Sequence, residues 1–286
     1  AVRFASTLTL IPRFDPRKAI EVIQRDRVTV FLGVPTMYAA LVAALQPGDD
    51  VSSLRACGSG GAALPLQVIA DFEKAFNAII MEGYGLSETS PVACFNHPDK
   101  PRKPGTIGTP IEGVFMRVVD DAGKEVPQGE RGEVQVRGHN IMKGYWNLPE
   151  ATAAAIDADG WFSTGDIGIV DEEGYFSIVD RKKEMIIRGG LNVYPRELEE
   201  VLYSHPEIAE AAVVGIPHAS LGEEVGAAVA LKAGSTLTAE AVRDFVKERV
   251  ASYKYPRHVW LLAELPKGAT GKVQKRDISI PSEYSA

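Results

Sequence analysis

The sequence predicts an α/β unit, then a block of antiparallel strands forming a barrel or sandwich, then a compact α+β unit. Three observations carry that expectation. Residues 1–95 alternate short apolar strands with helical patterns, the signature of a largely parallel sheet. From Gly105 to Asp180 short strands are separated by turn signals such as DDAGK, PQGERG and DEEG. Beyond the basic run Arg181, Lys182, Lys183 the chain returns to mixed helices and strands. The expected units are therefore residues 1–104, 105–181 and 182–286.

Each element has a local reason. RKAIEVIQRD carries apolar residues at helical spacing, and VTVFLGVP is a β-branched apolar strand. Pro35 opens a helix through Met37, Leu41 and Leu45 that stops at Pro47 and Gly48. A strand at 54–57, a helix at 66–76 and a strand at 78–81 follow, and the two strands run into GSGGAALP and GYGLSETS. In the middle block VFMRVVD, GEVQVRG and the pair Tyr175, Phe176 are strand-like, with a helix at 149–156 between them. The segment SIVDRKKEMIIRGGLNVYP predicts a buried strand at Ile178 and Val179. An apolar run, a flexible Gly189–Gly190 pair and a helix opened by Pro195 come next. The last unit reads as a helix at 195–203, strands at 211–216 and 225–231, a helix at 238–250 and a strand at 258–263. Val242, Phe245, Val246 and Val250 line one face of that second helix.

Composition narrows the class. With 286 residues, 45% hydrophobic and 24% charged, the chain describes a globular protein of about two domains. A net charge of -7 argues against nucleic acid as a partner, since phosphate binding wants a basic face. No stretch reaches the roughly 20 apolar residues of a membrane span, and no secretory signal is visible. Cys57 and Cys94 offer neither a disulfide framework nor zinc spacing, so the expected compartment is the cytoplasm. Starting at Ala1 without methionine, the chain reads as part of something longer.

Several short motifs can carry chemistry. GSGGAALP brings backbone amides close to a ligand, or makes a tight strand-to-helix turn, and it lacks the lysine of a phosphate-gripping P-loop. In GYGLSETS, Tyr84 between two glycines offers a face to a flat base, Ser87 a hydroxyl to a phosphoryl oxygen and Glu88 a hard oxygen to Mg²⁺. A capped turn explains the same residues equally well. Asp166 of WFSTGDIG, read in a glycine turn, can accept both hydroxyls of a ribose or make an Asx turn. Arg181 adds a planar donor fork suited to ribose and phosphate oxygens. Lys272, after Thr270 and Gly271, is either a solvated terminal charge or a cation delivered to a developing negative centre. The five histidines lie in separate segments with no metal-ligand spacing.

Taken together and in this order, GSGGAALP, GYGLSETS, WFSTGDIG, IVDRKKEMIIRGGLNVYPRELEE and the terminal TGK resemble the adenylate-forming superfamily. That group holds acyl-CoA synthetases, peptide-synthetase adenylation domains and beetle luciferase. The likeness runs from about Arg13 to Asp277, and GYGLSETSPV looks most like a bacterial medium- or long-chain fatty acyl-CoA ligase. It implies a truncated large domain followed by a small, mobile carboxy-terminal domain, and ATP, Mg²⁺ and coenzyme A as cofactors. Fatty acid is the implied substrate, activated as acyl-AMP and passed to the thiol.

Carried over residue by residue, Gly60, Gly61 and Ala62 would border the adenine, with Tyr84 and Ile178 against it. Ser87 would touch the α-phosphate and Glu88 hold Mg²⁺, while Asp166 and Arg181 would take the ribose. Lys272 would serve adenylation, Lys183 the hinge and Gly190 the pantetheine tunnel, and Ala93, Cys94 and Phe95 would join the acyl pocket wall. The family's Ser/Thr/Gly-rich phosphate loop is absent from these residues, so the resemblance places it ahead of Ala1. Such a truncation would leave a long sheet edge, for which pairing into a homodimer is one outcome. Two rival readings are an adenylation domain loading a carrier protein and a catalytically dead nucleotide-binding module.

Overall fold

The computed structural model of the chain describes residues 5–268 and 271–284, and Thr270 of the tail motif lies outside them. Helix α1 (Pro16–Asp26) begins on Asp15, whose carboxylate accepts a hydrogen bond from the Lys18 amide, and has proline in its first turn. Strand β1 (Val30–Gly33), helix α2 (Pro35–Ala44), β2 (Ala56–Ser59), α3 (Leu66–Phe76) and β3 (Ile79–Tyr84) follow. Strands β1, β2 and β3 pair in parallel, and β4 (Cys94–Phe95) and β5 (Thr109–Pro110) extend the sheet in antiparallel fashion. Apolar positions of the three helices and of the sheet meet in one core of Ile20, Tyr38, Leu41, Phe72, Phe76 and Ile80. Within it Phe72 and Phe76 stack at 4.2 Å. Strands β2 and β3 end later than expected, on the second residue of each glycine motif, so both motifs sit at the carboxyl ends of parallel strands. Leu32 of edge strand β1 is 75% exposed, an apolar side chain with little covering it.

The second sheet takes β6 (Val114–Val119), β7 (Gly132–Gly138), β8 (Phe162–Val170) and β9 (Phe176–Arg181) in sequential antiparallel order, with α4 (Pro149–Ala155) between β7 and β8. It stays an open sheet, and no closed barrel forms among the described residues. Four strands are too few to curl onto themselves. The outer edge of β9 is instead taken by the link to the first sheet, where Phe176 exchanges backbone hydrogen bonds with Ile107 and Gly108. Asp166 also departs from expectation: it lies inside a nine-residue strand rather than a turn, next to Gly165 and a register shift against β9. Ile178 and Val179 are only partly buried, whereas Asp180 beside them is buried.

The third sheet begins with the β10 (Ile186–Arg188) and β11 (Leu191–Val193) hairpin, turned at Gly189 and Gly190. After α5 (Pro195–Tyr203), strands β12 (Ile208–His218) and β13 (Gly222–Leu231) form a long antiparallel ladder. Helix α6 (Ala239–Lys247) leads to β14 (His258–Leu262), which pairs in parallel with β13. Leu198 and Leu202 of α5 and Val242 and Val246 of α6 bury themselves against Val213, Ala227 and Val229. Among the described residues no helix is long and apolar enough to cross a membrane.

Candidate functional site

The glycine motifs face each other across the ends of β2 and β3. A Cβ built on Gly60 would lie 3.5 Å from the Gly83 carbonyl oxygen, so the two turns are in contact. Under them lies Glu82, 5% exposed. Its Oε1 accepts from the Leu64 amide at 3.3 Å, while Oε2 has no hydrogen-bond partner. Burial pushes this carboxyl up to about 7, against the pull of the Arg196 guanidinium.

Tyr84 continues β3 on the same face. Its hydroxyl donates to Asp166 Oδ2 at 2.5 Å, a bond between residues 82 apart in sequence. Asp166 is paired in register with Arg181 on β9, and the Arg181 Nε lies 3.7 Å from its Oδ1. Burial raises both Tyr84 and Asp166, so neither gives up its proton as readily as in water. Ile178 packs with Tyr84 in the apolar clusters beneath the second sheet. Thus Tyr84, Asp166, Ile178 and Arg181, called on from two sheets, do converge.

The tail reaches this place too. A Cβ on Gly61 would come within 2.8 Å of the Lys272 Cε and 2.9 Å of its Nζ, and Gly61 has a φ of +84°. Glycine suits that backbone, and without a Cβ it leaves room for the lysine to cross over it. Thr36 at the start of α2 donates to the Gly271 carbonyl at 2.8 Å. Desolvation, and then the Arg181 charge, hold the Lys272 ammonium below its usual range. Lys275, one turn on, is anchored by Glu199 at 2.8 Å and Glu184 at 3.4 Å. Helix α5 docks on β9 and on α3 as well. The Arg196 amide donates to Asp180 Oδ2 at 2.9 Å, the Arg196 guanidinium to the Ile178 carbonyl, and the Leu66 amide to Glu200 Oε2 at 3.3 Å.

Ser87 and Glu88 form a single 3-10 turn just beyond β3. Ser87 is exposed and Glu88 half-buried, with its Oε1 accepting from the Tyr145 hydroxyl at 3.0 Å. Ala62 is exposed at the glycine turn. Gly190 stands apart: at the tip of the β10–β11 hairpin, a Cβ there would meet nothing within 4 Å. Lys183 is exposed in the turn between β9 and β10. Among the described residues no group of three or more His, Cys, Asp or Glu side chains could hold a metal by itself.

Sequence reasoning passed over Glu82, Asp180 and Tyr145. Glu82 left one signal, a lone charge in the otherwise apolar AIIMEGYG strand. The other two left none, because their partners lie 16 and 57 residues away.

Parallel strands ending in paired glycine turns, a tyrosine–aspartate–arginine cluster and a lysine delivered from a separate α+β unit define an adenylate-forming architecture. The AMP-binding enzyme family model matches residues 1–146, more than half of the chain, and the AMP-binding enzyme C-terminal domain model matches residues 197–272. The chain belongs to the AMP-binding enzyme family. It is 44% identical over 278 residues to a long-chain-fatty-acid–CoA ligase of Bacillus subtilis (strain 168), covering 96% of this chain and 50% of that one. A feruloyl-CoA synthase of an Amycolatopsis species is 40% identical, covering 95% and 55%. The chain thus spans about half the length of the curated relatives it matches. Among solved structures, ATP-bound MatB from Rhodopseudomonas palustris superposes with a TM-score of 0.87 at 37% identity, covering 93% of this chain and 53% of that one. Apo MatB, at 38% identity over the same shares, reaches 0.69.

Proposed function

We propose that the polypeptide containing these residues is an ATP-dependent acid–CoA ligase that forms an acyl adenylate and then a thioester. The observation that carries this reading is Lys272 lying over Gly61, within the electrostatic reach of Arg181. A partly desolvated cation over a glycine turn is suited to the negative charge that develops when a carboxylate attacks an α-phosphate. Gly60, Gly61 and Ala62 would border the adenine with Tyr84 and Ile178, and Asp166 and Arg181 would take the ribose. Ser87 would reach the α-phosphate.

Glu88 fits Mg²⁺ as a hard oxygen donor with one carboxylate oxygen not engaged by Tyr145. The ion would then share its remaining ligands with substrate phosphates and water, and would neutralise phosphate charge. The open space at Gly190 suits the narrow thiol arm of coenzyme A. Residues 1–104 and 105–181 would act as one block, and residues 182–286 would turn about Lys183 between the two half-reactions. The better match to the ATP-bound than to the apo form of one relative supports an arrangement belonging to the first half-reaction.

A fatty acid is the proposed substrate, on the strength of the Bacillus subtilis ligase; the feruloyl-CoA synthase names an aromatic acid as the alternative. Lys272→Ala in the complete gene product should cut ATP–pyrophosphate exchange by roughly 100-fold or more. Thioester formation from supplied acyl adenylate should keep most of its rate. Equal loss of both would overturn the division of labour, and comparing fatty with hydroxycinnamic acids in the exchange assay decides the substrate class.

A further inference from the structure

One side chain next to the site has no part in the scheme above. Tyr145 lies between β7 and α4, in the second block, yet its hydroxyl donates to Oε1 of Glu88 in the first at 3.0 Å. The segment that carries it grips the Glu88 turn at three further points. Met142 N donates to the Glu88 carbonyl at 2.8 Å. The side-chain amide of buried Asn140 donates to the carbonyls of Thr89 at 3.1 Å and Val92 at 2.8 Å. Tyr145 is itself anchored: its amide donates to Thr152 Oγ1 at 2.9 Å, and that hydroxyl donates to the Leu148 carbonyl at the start of α4. Glu88 is therefore fixed at its main chain by one end of the segment and at its carboxylate by the other. No other side chain among the described residues hydrogen-bonds that carboxylate.

We propose that Tyr145 is a positioning residue for Glu88, holding one carboxylate oxygen so that the other is presented to the divalent cation that accompanies the nucleotide. A glutamate in a short turn has three rotatable bonds and would otherwise sample several orientations. A hydroxyl donating to one oxygen selects an orientation and leaves the second oxygen for monodentate binding. That suits an ion which demands near-octahedral geometry and takes most of its ligands from phosphate and water. Partners of this kind, behind a metal-binding carboxylate, typically change metal affinity by roughly 10- to 100-fold when removed. Tyr145 does this from the segment that links β7 to α4, so the cation site depends on how the first two sheets are packed.

The inference rests on the reading of Glu88 as the cation ligand, and the test separates the two. ATP binding to the complete gene product is measured calorimetrically, without acid substrate, once with excess Mg²⁺ and once with EDTA. The ratio of the two affinities is the Mg²⁺ enhancement. Tyr145→Phe, which keeps the ring and removes the hydroxyl, should lower that enhancement by about tenfold. It should leave the affinity in EDTA and the melting temperature near those of the parent. Glu88→Gln should lower the enhancement at least as far. If Glu88→Gln loses the enhancement and Tyr145→Phe keeps it, the positioning role is wrong and the metal reading stands. If neither variant loses it, or the parent shows none, the metal reading falls and this inference with it. A Tyr145→Phe protein weakened equally in EDTA would show a structural role only, and would also overturn the proposal.

Discussion

Glu82 is a carboxyl that the fold keeps out of water, and its burial has a measurable sign. The folded group is pushed up to about 7, well above the usual carboxylate range, by loss of solvation. Below about pH 3.5 the acid is neutral in both folded and unfolded chains and adds no penalty. As pH rises toward 7 the unfolded chain ionises first, so the stability present at low pH is progressively lost. Above pH 7 the loss levels off at an amount on the order of 3 kcal/mol. Glu82→Gln is nearly isosteric and cannot ionise. It should be more stable than the parent at pH 8 by up to about 3 kcal/mol, and indistinguishable from it at about pH 3.5. Denaturant titrations of both proteins at the two pH values check this, and a gap that does not vary with pH would show that the carboxyl is not held protonated. The strand sequence AIIMEGYG displays the lone charge but not its setting, because the Leu64 amide, Arg196 and Glu200 that surround it come from elsewhere in the chain.

At the scale of elements, α5 shows how one unit is tied to another. Its N-cap residue, Tyr194, provides no side-chain cap. The missing acceptor is Asp180, on β9, which takes the Arg196 amide at 2.9 Å and also the Arg181 amide at 2.7 Å. Removing it orphans a partly buried helix-end amide, which costs about 1–2 kcal/mol. Asp180→Ala should lower unfolding stability by roughly that amount, and hydrogen exchange should accelerate first in the opening turn of α5. Exchange rising uniformly over the chain would instead indicate general loosening. The helix α5 was readable beforehand, since Pro195 and Glu197 mark its start and Leu198 and Leu202 its buried face. Helices α1 to α4 were readable for the same reasons of period and punctuation. Strand β8 was not, because Ser, Thr, two glycines and Asp in WFSTGDIG carry turn signals, and the strand is held in place by β7 and β9 on its two sides. The antiparallel block could be read as strands but not as an open sheet, since closure depends on what lies against the outer edge of β9. Of the site, the residues grouped in motifs were legible one by one, while the Tyr84–Asp166 bond and the Tyr145–Glu88 bond join distant segments that no spacing rule connects.

For the molecule as a whole, the decisive contact is the one between the tail and helix α2. Thr36 on α2 holds the Gly271 carbonyl, and a Cβ built on Gly271 would sit 3.3 Å from the Thr36 hydroxyl oxygen. That spacing is short enough for a disulfide between cysteines at the two positions. The φ of +79° at Gly271 makes a cysteine there somewhat strained, by about 1 kcal/mol. The native Cys57 and Cys94 are both buried, which limits competing pairs. Oxidised Thr36→Cys/Gly271→Cys would hold Lys272 over Gly61 and block the proposed turn of residues 182–286 that brings the Gly190 hairpin tip to the site. If the proposed ligase reading holds, ATP–pyrophosphate exchange by the complete gene product carrying the bridge should persist, while thioester formation from supplied acyl adenylate falls by at least about tenfold, and a reductant should restore it. Retention of both half-reactions with the bridge in place, verified by mass spectrometry, would mean that no large swing of residues 182–286 separates them.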